Sequence, residues 1–309
     1  MYKNLTKIPT LGMSREEWLK HRKGHIGGSD AAAIVGLNAY SSPVTVWGDK
    51  TDRLPETEDN EAMRQGRDLE DYVAKRFAEK TGKRVRRENA ILINPDIPFA
   101  HANVDRLIIG EDAGLECKTT SSLNLKRFKN GEFPDNYYVQ CVHYMMVTGA
   151  KKWYLAVLVF SRDFYVFEID RDEDEIKALK AAEQEFWGYV ERDEMPPVDG
   201  TDATERTIAA VYPSGDGTEC DLTAFETDID TRMKLRSRIK ELETEAKSID
   251  NRIKAFMGAS EIGILADHKV SYKNSTRSSL DFTAFSEAHP DIDLAPFYKT
   301  STFRTFKVS

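Results

Sequence analysis

The chain has 309 residues, 40% of them apolar, enough for one large packed domain or two small ones. Its formal net charge of −8 gives no general attraction to nucleic acid, so any such contact needs a local basic surface. Three scattered cysteines without CxxC spacing argue against a disulfide framework and a cysteine-built zinc or iron–sulfur site, and no apolar run approaches the ~18 residues of a membrane span.

The polar opening MYKNLTKIPT, broken by Pro9, carries no signal-peptide pattern, so a reducing, cytoplasmic setting is expected. Residues 14–23 (SREEWLKHRK) read as a helix, with Ser14 and Glu17 as a capping box. In GHIGGSDAAAIVG, Gly27 and Gly28 read as a tight bend, and Ser29 or Asp30 as the cap of a short alanine-rich helix. A short helix is expected over 43–50 and a polar loop over 51–60. From about Asn60 to Lys80, Leu69, Val73 and Phe77 recur every four residues and Gly82 follows, which predicts a long helix. Glu70 lies beside its apolar stripe. Strands are predicted at 88–94, 100–109 and 113–119, the last two joined by GEDAG as a hairpin turn.

Residues 134–148 return to helix, KWYLAVLVF and FYVFEID make two strands around SRD, and 171–192 form an acidic helix that ends before Pro196 and Pro197. Residues 196–220, rich in Pro, Gly, Thr and Asp, read as a linker. A helix of about 222–257 follows. In it Leu235, Ile239, Leu242, Ala246, Ile249, Ile253 and Phe256 step by four and three, a heptad seam suited to a helical hairpin or a short coiled coil. Short strands near 262–273 and 301–308 complete the chain. The expected organisation is a domain over 1–195, a linker over 196–220 and a helical extension with short strands over 221–309.

One strand carries chemistry. In GLECKTT, Glu116 and Lys118 are two residues apart and share a face, while Leu115, Cys117 and Thr119 share the other. Taken alone, the pair reads as a surface ion pair. The hairpin, however, folds Asp105 back beside Glu116, and two close carboxylates repel unless a cation separates them. Their hard oxygens suit Mg²⁺ or Mn²⁺. Glu70 on the long helix could close over the same point, and a lysine beside the ion could orient the attacking water and stabilise charge on a phosphate. This is an arrangement for phosphodiester hydrolysis.

The ordered pattern Glu70, Asp105, Glu116-x-Lys118 resembles the PD-(D/E)XK nuclease superfamily, with Val104 where proline often precedes the aspartate. WLKHRKGHIGGSDAAAIVG, GRDLEDYVAKRF and YYVQCVHYMMVTGAKKWYL, spanning roughly 15–170, resemble lambda-type exonucleases and the YqaJ-like viral recombinase family. The resemblance implies an α/β fold, a restriction-endonuclease-like core with a mixed sheet, followed by the helical and strand extension. It implies a metal-dependent 5′→3′ exonuclease that acts on double-stranded DNA ends and leaves 3′ tails for the single-strand annealing protein of the same phage or prophage. By position, Glu70, Asp105, Glu116 and the backbone carbonyl of Cys117 would hold two Mg²⁺ or Mn²⁺ ions. Lys118 and Gln140 would act beside them, and Arg22 and Ser29 would hold the terminal 5′-phosphate. A homo-oligomer, in the form of a ring-shaped trimer, and the bacterial host cytoplasm are further implications.

Each role has a plain structural counterpart. Gln140 could merely bond within a half-buried helix, Ser29 could only cap, and Arg22 could be solvated. His25, His101 and His143 fit packing or DNA contact better than metal ligation. The basic run with Lys80, Lys83, Arg84, Arg86 and Arg87 reads either as a solvated strand edge or as contact with the duplex backbone. Two other functions fit the same pattern: a DNA endonuclease or RecB-like repair nuclease, and a non-catalytic DNA-end-binding protein.

Overall fold

The structure is a computed structural model that describes residues 1–56 and 59–308. The chain divides into two units, Met1–Pro213 and the residues from Ser214 on. The first unit runs β1 (Thr6–Pro9), α1 (Arg15–Lys23), α2 (Gly28–Ile34), α3 (Pro43–Lys50), α4 (Glu61–Thr81), β2 (Val85–Arg86), β3 (Ala90–Ile93), β4 (His101–Ala102), β5 (Arg106–Ile108), β6 (Ala113–Thr120), α5 (Asp135–Thr148), β7 (Lys152–Val159), β8 (Asp163–Asp170), α6 (Glu173–Glu191) and α7 (Asp202–Val211).

A five-stranded sheet of order β2-β5-β6-β7-β8 forms the centre. Only β6 and β7 are parallel, so the sheet is mixed, as expected for the α/β class. Helix α4 covers one face. Its Val73, Ala74 and Phe77 pack on Leu115, Tyr154 and Ala156. Helix α5 covers the other face, where Cys141, Met145 and Met146 join Trp153, Leu155 and Val157. Alternation along β6 therefore sends Leu115 and Cys117 toward α4, and Glu116 toward α5.

Local signals account for most boundaries. The Ser14–Glu17 capping box forms, Asn60 caps α4 by accepting from the Met63 N–H, and Gly82 ends that helix at φ 72°. Gly27 and Gly28 do not make the expected bend through unusual dihedrals. Gly27 is an extended N-cap, with the Asp30 carboxylate accepting from its N–H at 3.0 Å. Gly28 permits close packing, since a Cβ there would lie 2.7 Å from the Tyr144 ring.

Two further expectations in this unit differ from what forms. The single strand over 100–109 divides: β4 joins a β1-β3-β4 sheet, and β5 joins the central one. Residues 202–211, read as part of a linker, form α7. Thr201 caps it, and Thr204 and Thr207 bond the hydroxyls of Ser42 and Thr45 at 2.8 and 2.7 Å. A face made of threonines lacks the apolar periodicity by which a packed helix is read. Residues 57 and 58 of the expected 51–60 loop lie outside the described residues.

The second unit holds α8 (Glu226–Met257), a hairpin of β9 (Ile262–Leu265) and β10 (His268–Ser271), and α9 (Phe282–Ala288). The strand expected over 301–308 is absent; Phe303 and Phe306 stay exposed, and the segment pairs with no sheet edge among the described residues.

Candidate active site

The central sheet ends unevenly. Strand β5 pairs with β6 only through Arg106–Leu115 and Leu107–Gly114, whereas β6 runs on to Thr120. Beyond that point the Cys117 N–H has lost its strand partner, and a backbone donor must be satisfied somehow. The Asp105 carboxylate meets it, accepting at 2.7 Å. This bond places Asp105 next to Glu116, as the hairpin reading expects.

Glu116 is buried, 3% exposed, yet carries a charge-bearing group. One oxygen, Oε1, accepts from Gln140 Nε2 at 2.8 Å and meets Lys118 Nζ at 2.6 Å. The other, Oε2, is buried without a hydrogen-bond partner among the described residues. Burial of an unsatisfied carboxylate oxygen is costly unless a donor or cation reaches it. Asp105 shows the same need: burial, then the nearby Glu116 and Glu70, push its carboxyl well above the usual range.

Gln140 is fixed from behind, since its amide also donates to the Tyr144 hydroxyl at 2.8 Å. Lys118 lies 5.4 Å over the Tyr137 ring. Burial opposes its charge, but Glu116 and Asp105 outweigh burial and raise its pKa, so the ammonium stays protonated. One face of β6 and the facing side of α5 thus bring together Asp105, Glu116, Lys118 and Gln140.

Glu70 stands apart from that group. Its carboxylate pairs with the Arg106 guanidinium, which also holds Asp71 and the Asp105 carbonyl. Among the described residues no three His, Cys, Asp or Glu side chains surround a common point. The expected ligand trio is therefore not assembled: Asp105 and Glu116 adjoin, while Glu70 is tied to Arg106. The two adjoining carboxylates, with one oxygen unpartnered, nevertheless fit a hard divalent cation.

Arg106 escaped sequence reasoning although a signal existed. It sits between Asp105 and the apolar Leu107-Ile108-Ile109 with its side chain only 5% exposed, and a guanidinium buried in a strand requires acidic partners. Lys50 is similar. Its side chain is fully buried, with the ammonium 2.7 Å from Asp30 and donating to the Arg22 carbonyl at 2.9 Å.

That ion pair underlies a second cluster. Arg22 donates to Ser29 Oγ at 3.3 Å and approaches Asp30 at 3.4 Å. Ser29 is exposed and Arg22 half-buried, so the expected phosphate-binding pair is assembled and open to solvent.

The basic run is less free than its composition suggests. Lys80 donates to the Phe164 carbonyl, Lys83 pairs with Glu111, Arg86 with Glu88, and Arg87 with Asp71. Arg84 alone among these five makes no side-chain bond to described residues. The buried His143 ring bonds Glu183 at 2.7 Å and the His101 carbonyl at 2.9 Å, and His25 bonds the His21 carbonyl, while His101 Nδ1 is buried without a partner among the described residues. Burial of the ring is offset by Glu183, which raises the His143 pKa.

No helix is long and apolar enough to cross a membrane among the described residues. Comparison with known proteins gives the lineage. Residues 17–151 match the model of the YqaJ-like viral recombinase domain. The chain is 39% identical over 302 residues to the uncharacterized protein YqaJ of Bacillus subtilis (strain 168), covering 96% of this chain and 94% of that one. The match therefore includes the second unit. An alkaline exonuclease (LHK-Exo) from Laribacter hongkongensis superposes with a TM-score of 0.50 at 21% identity, over 58% of this chain and 93% of its own. LHK-Exo in complex with dAMP superposes equally, at 22% identity and the same coverage. These likenesses show a shared PD-(D/E)XK-type fold. With Glu116 and Lys118 on one face of β6 and Asp105, immediately before β5, bonded to the Cys117 N–H between them, and with a relative matched along nearly its whole length, the chain belongs to the YqaJ-like viral recombinase family.

Proposed function

We propose that this protein is a nuclease that removes nucleotides from the 5′ ends of duplex DNA and leaves 3′ single-stranded tails for a strand-annealing partner. The observation that carries the proposal is the pair Asp105 and Glu116 with the unpartnered, buried Glu116 Oε2, beside the protonated Lys118. Family membership and the exonuclease fold of LHK-Exo support the same chemistry.

Asp105 and Glu116 would hold Mg²⁺ or Mn²⁺, with the Cys117 carbonyl and, after release from Arg106, Glu70 as further ligands. Such an ion, when bound, would polarise the scissile phosphate and lower the pKa of water. Lys118 places a positive charge where the pentacoordinate phosphate gains negative charge, and can orient the attacking water. Gln140 holds Glu116 in place through Oε1 and is itself held by Tyr144. Arg22 and Ser29 would grip the terminal 5′-phosphate, whose charge exceeds that of an internal phosphodiester. An endonuclease has no use for such a grip, which favours the exonuclease over the endonuclease reading.

Digestion of matched duplexes with 5′-phosphate or 5′-hydroxyl ends tests this. Arg22→Ala should slow the phosphorylated substrate more than the hydroxylated one. Equal slowing of both would remove Arg22 from phosphate reading.

A further inference from the structure

Helix α8 is 32 residues long, and Met257 is its only buried residue. Its apolar seam is open: Leu235, Ile239, Leu242, Ile249, Ile253 and Phe256 are between 39% and 94% exposed. Within its own unit, packing is found at the helix ends. Arg232 lies 5.1 Å over the Phe306 ring, and Met257 lies against Gly263 of the β9–β10 hairpin. The middle of the seam is left bare.

Two features say what covers it. The first is the period. Steps of four and three average 3.5 residues, which keeps the seam straight only against another helix of the same period. The second is the charge order beside the seam. Residues 232–240 contain Arg232, Lys234, Arg236, Arg238 and Lys240 and no acid, whereas residues 241–245 contain Glu241, Glu243 and Glu245 and no base. With Ile239 and Leu242 as successive core positions, Arg236 and Glu243 flank the seam on one side, and Arg238 and Glu245 on the other. A basic half followed by an acidic segment is complementary to itself when reversed.

We propose that α8 pairs with α8 of a second copy of this chain as an antiparallel coiled coil. Ile239 opposes Leu242 of the second copy, and Leu235 opposes Ala246. In that register Arg236 meets Glu243 and Arg238 meets Glu245, each pair occurring twice through the two-fold axis. A parallel, in-register pair would set each seam residue against its own copy, whereas the antiparallel register sets Ile249 opposite Arg232 and Ile253 opposite Asp228 and pairs the seam over Leu235–Ala246. The parallel pair matches the flanking charges less well, since Arg238 meets Glu243 but Glu245 faces Asp250. The interface is independent of the nuclease chemistry and uses none of its residues.

The test is sedimentation equilibrium of the full chain at low salt. Ile239→Asp with Leu242→Asp should halve the wild-type mass. Arg236→Glu with Arg238→Glu should weaken self-association by at least ~10-fold, and adding Glu243→Arg with Glu245→Arg should restore it, which a folding defect would not allow. In a Cys220→Ser background, chains carrying Leu235→Cys should cross-link to chains carrying Ala246→Cys, and neither should cross-link alone. A wild-type chain that is monomeric at high micromolar concentration, or a mass unchanged by the two aspartates, would overturn the proposal. Self-cross-linking at position 235 would overturn the antiparallel register.

Discussion

Replacing Lys50 with methionine probes the support beneath Arg22 and Ser29. The ammonium is fully buried and sits 2.7 Å from the Asp30 carboxylate. Burial pushes the Asp30 pKa up, but Lys50 and Arg22 outweigh it and hold the group at about 2. At that separation and an effective dielectric of about 20, the gross attraction is roughly 6 kcal/mol. Desolvation of both ions offsets much of this, and breaking a buried pair by removing one partner costs ~3–5 kcal/mol. Asp30 would keep only the Gly27 N–H at 3.0 Å and Arg22 at 3.4 Å. Its uncompensated charge would draw the guanidinium away from Ser29. Lys50→Met should therefore lower stability by ~3–5 kcal/mol and also reduce the preference for 5′-phosphorylated ends. Urea unfolding followed by tryptophan fluorescence reads the first effect, since Trp18, Trp47, Trp153 and Trp187 all lie in the first unit. Adding Asp30→Asn should recover part of the loss. A Lys50→Met protein within ~1 kcal/mol of wild type would mean that the buried pair contributes little and does not support Arg22.

Lys118→Ala and Glu116→Ala should each slow hydrolysis by at least ~10²-fold while leaving the circular dichroism spectrum unchanged; near-normal rates in either would take that residue out of the mechanism. Arg106→Met should cost ~2 kcal/mol, because Glu70 and Asp71 lose their shared guanidinium but remain partly solvated. Arg106→Lys should recover less than half of that loss, since an ammonium cannot span both carboxylates, and equal stability of the lysine variant and wild type would contradict it. Burial, with smaller contributions from His143 and Lys50, lowers the His101 pKa from 6.5 to about 3. The folded protein then keeps this ring neutral where the unfolded chain binds a proton. Its contribution is fully present above pH 6.5 and is lost as pH falls toward 3, by up to ~1.4 kcal/mol per pH unit. His101→Leu should flatten the fall in urea stability between pH 6.5 and 5, and parallel slopes would show that His101 is not the group responsible.

Much of the core was legible because its signals are local. The four-residue apolar rhythm of α4, the capping box at Ser14 and the alternation of GLECKTT each follow from one stretch of backbone. Asp105 and Glu116 were also within reach, since a hairpin fixes which residues face each other across two neighbouring strands. What remained hidden depends on distant partners. Nothing near Glu70 in the sequence says that Arg106, 36 residues away, will claim its carboxylate. The Asp30–Lys50 pair spans 20 residues and joins two helices, α2 and α3. Part of the basic run looked like a free surface because Glu111 and Asp71, which pair with Lys83 and Arg87, come from other elements; the Arg86–Glu88 pair, by contrast, is local. Helix α7 was missed because hydroxyl-to-hydroxyl packing through Thr204 and Thr207 leaves no apolar stripe.

In the proposed function, Asp105, Glu116 and Lys118 form a metal-dependent centre fed from a 5′ end. The most direct measurement is digestion of linear duplex DNA labelled at either the 5′ or the 3′ terminus, with Mg²⁺ or with EDTA. Mg²⁺ should give early release of 5′-labelled mononucleotides with retention of the 3′ label on the shortening duplex, and EDTA should give no release. Early release of the 3′ label would contradict the direction, and undiminished digestion in EDTA would contradict the metal-dependent centre itself.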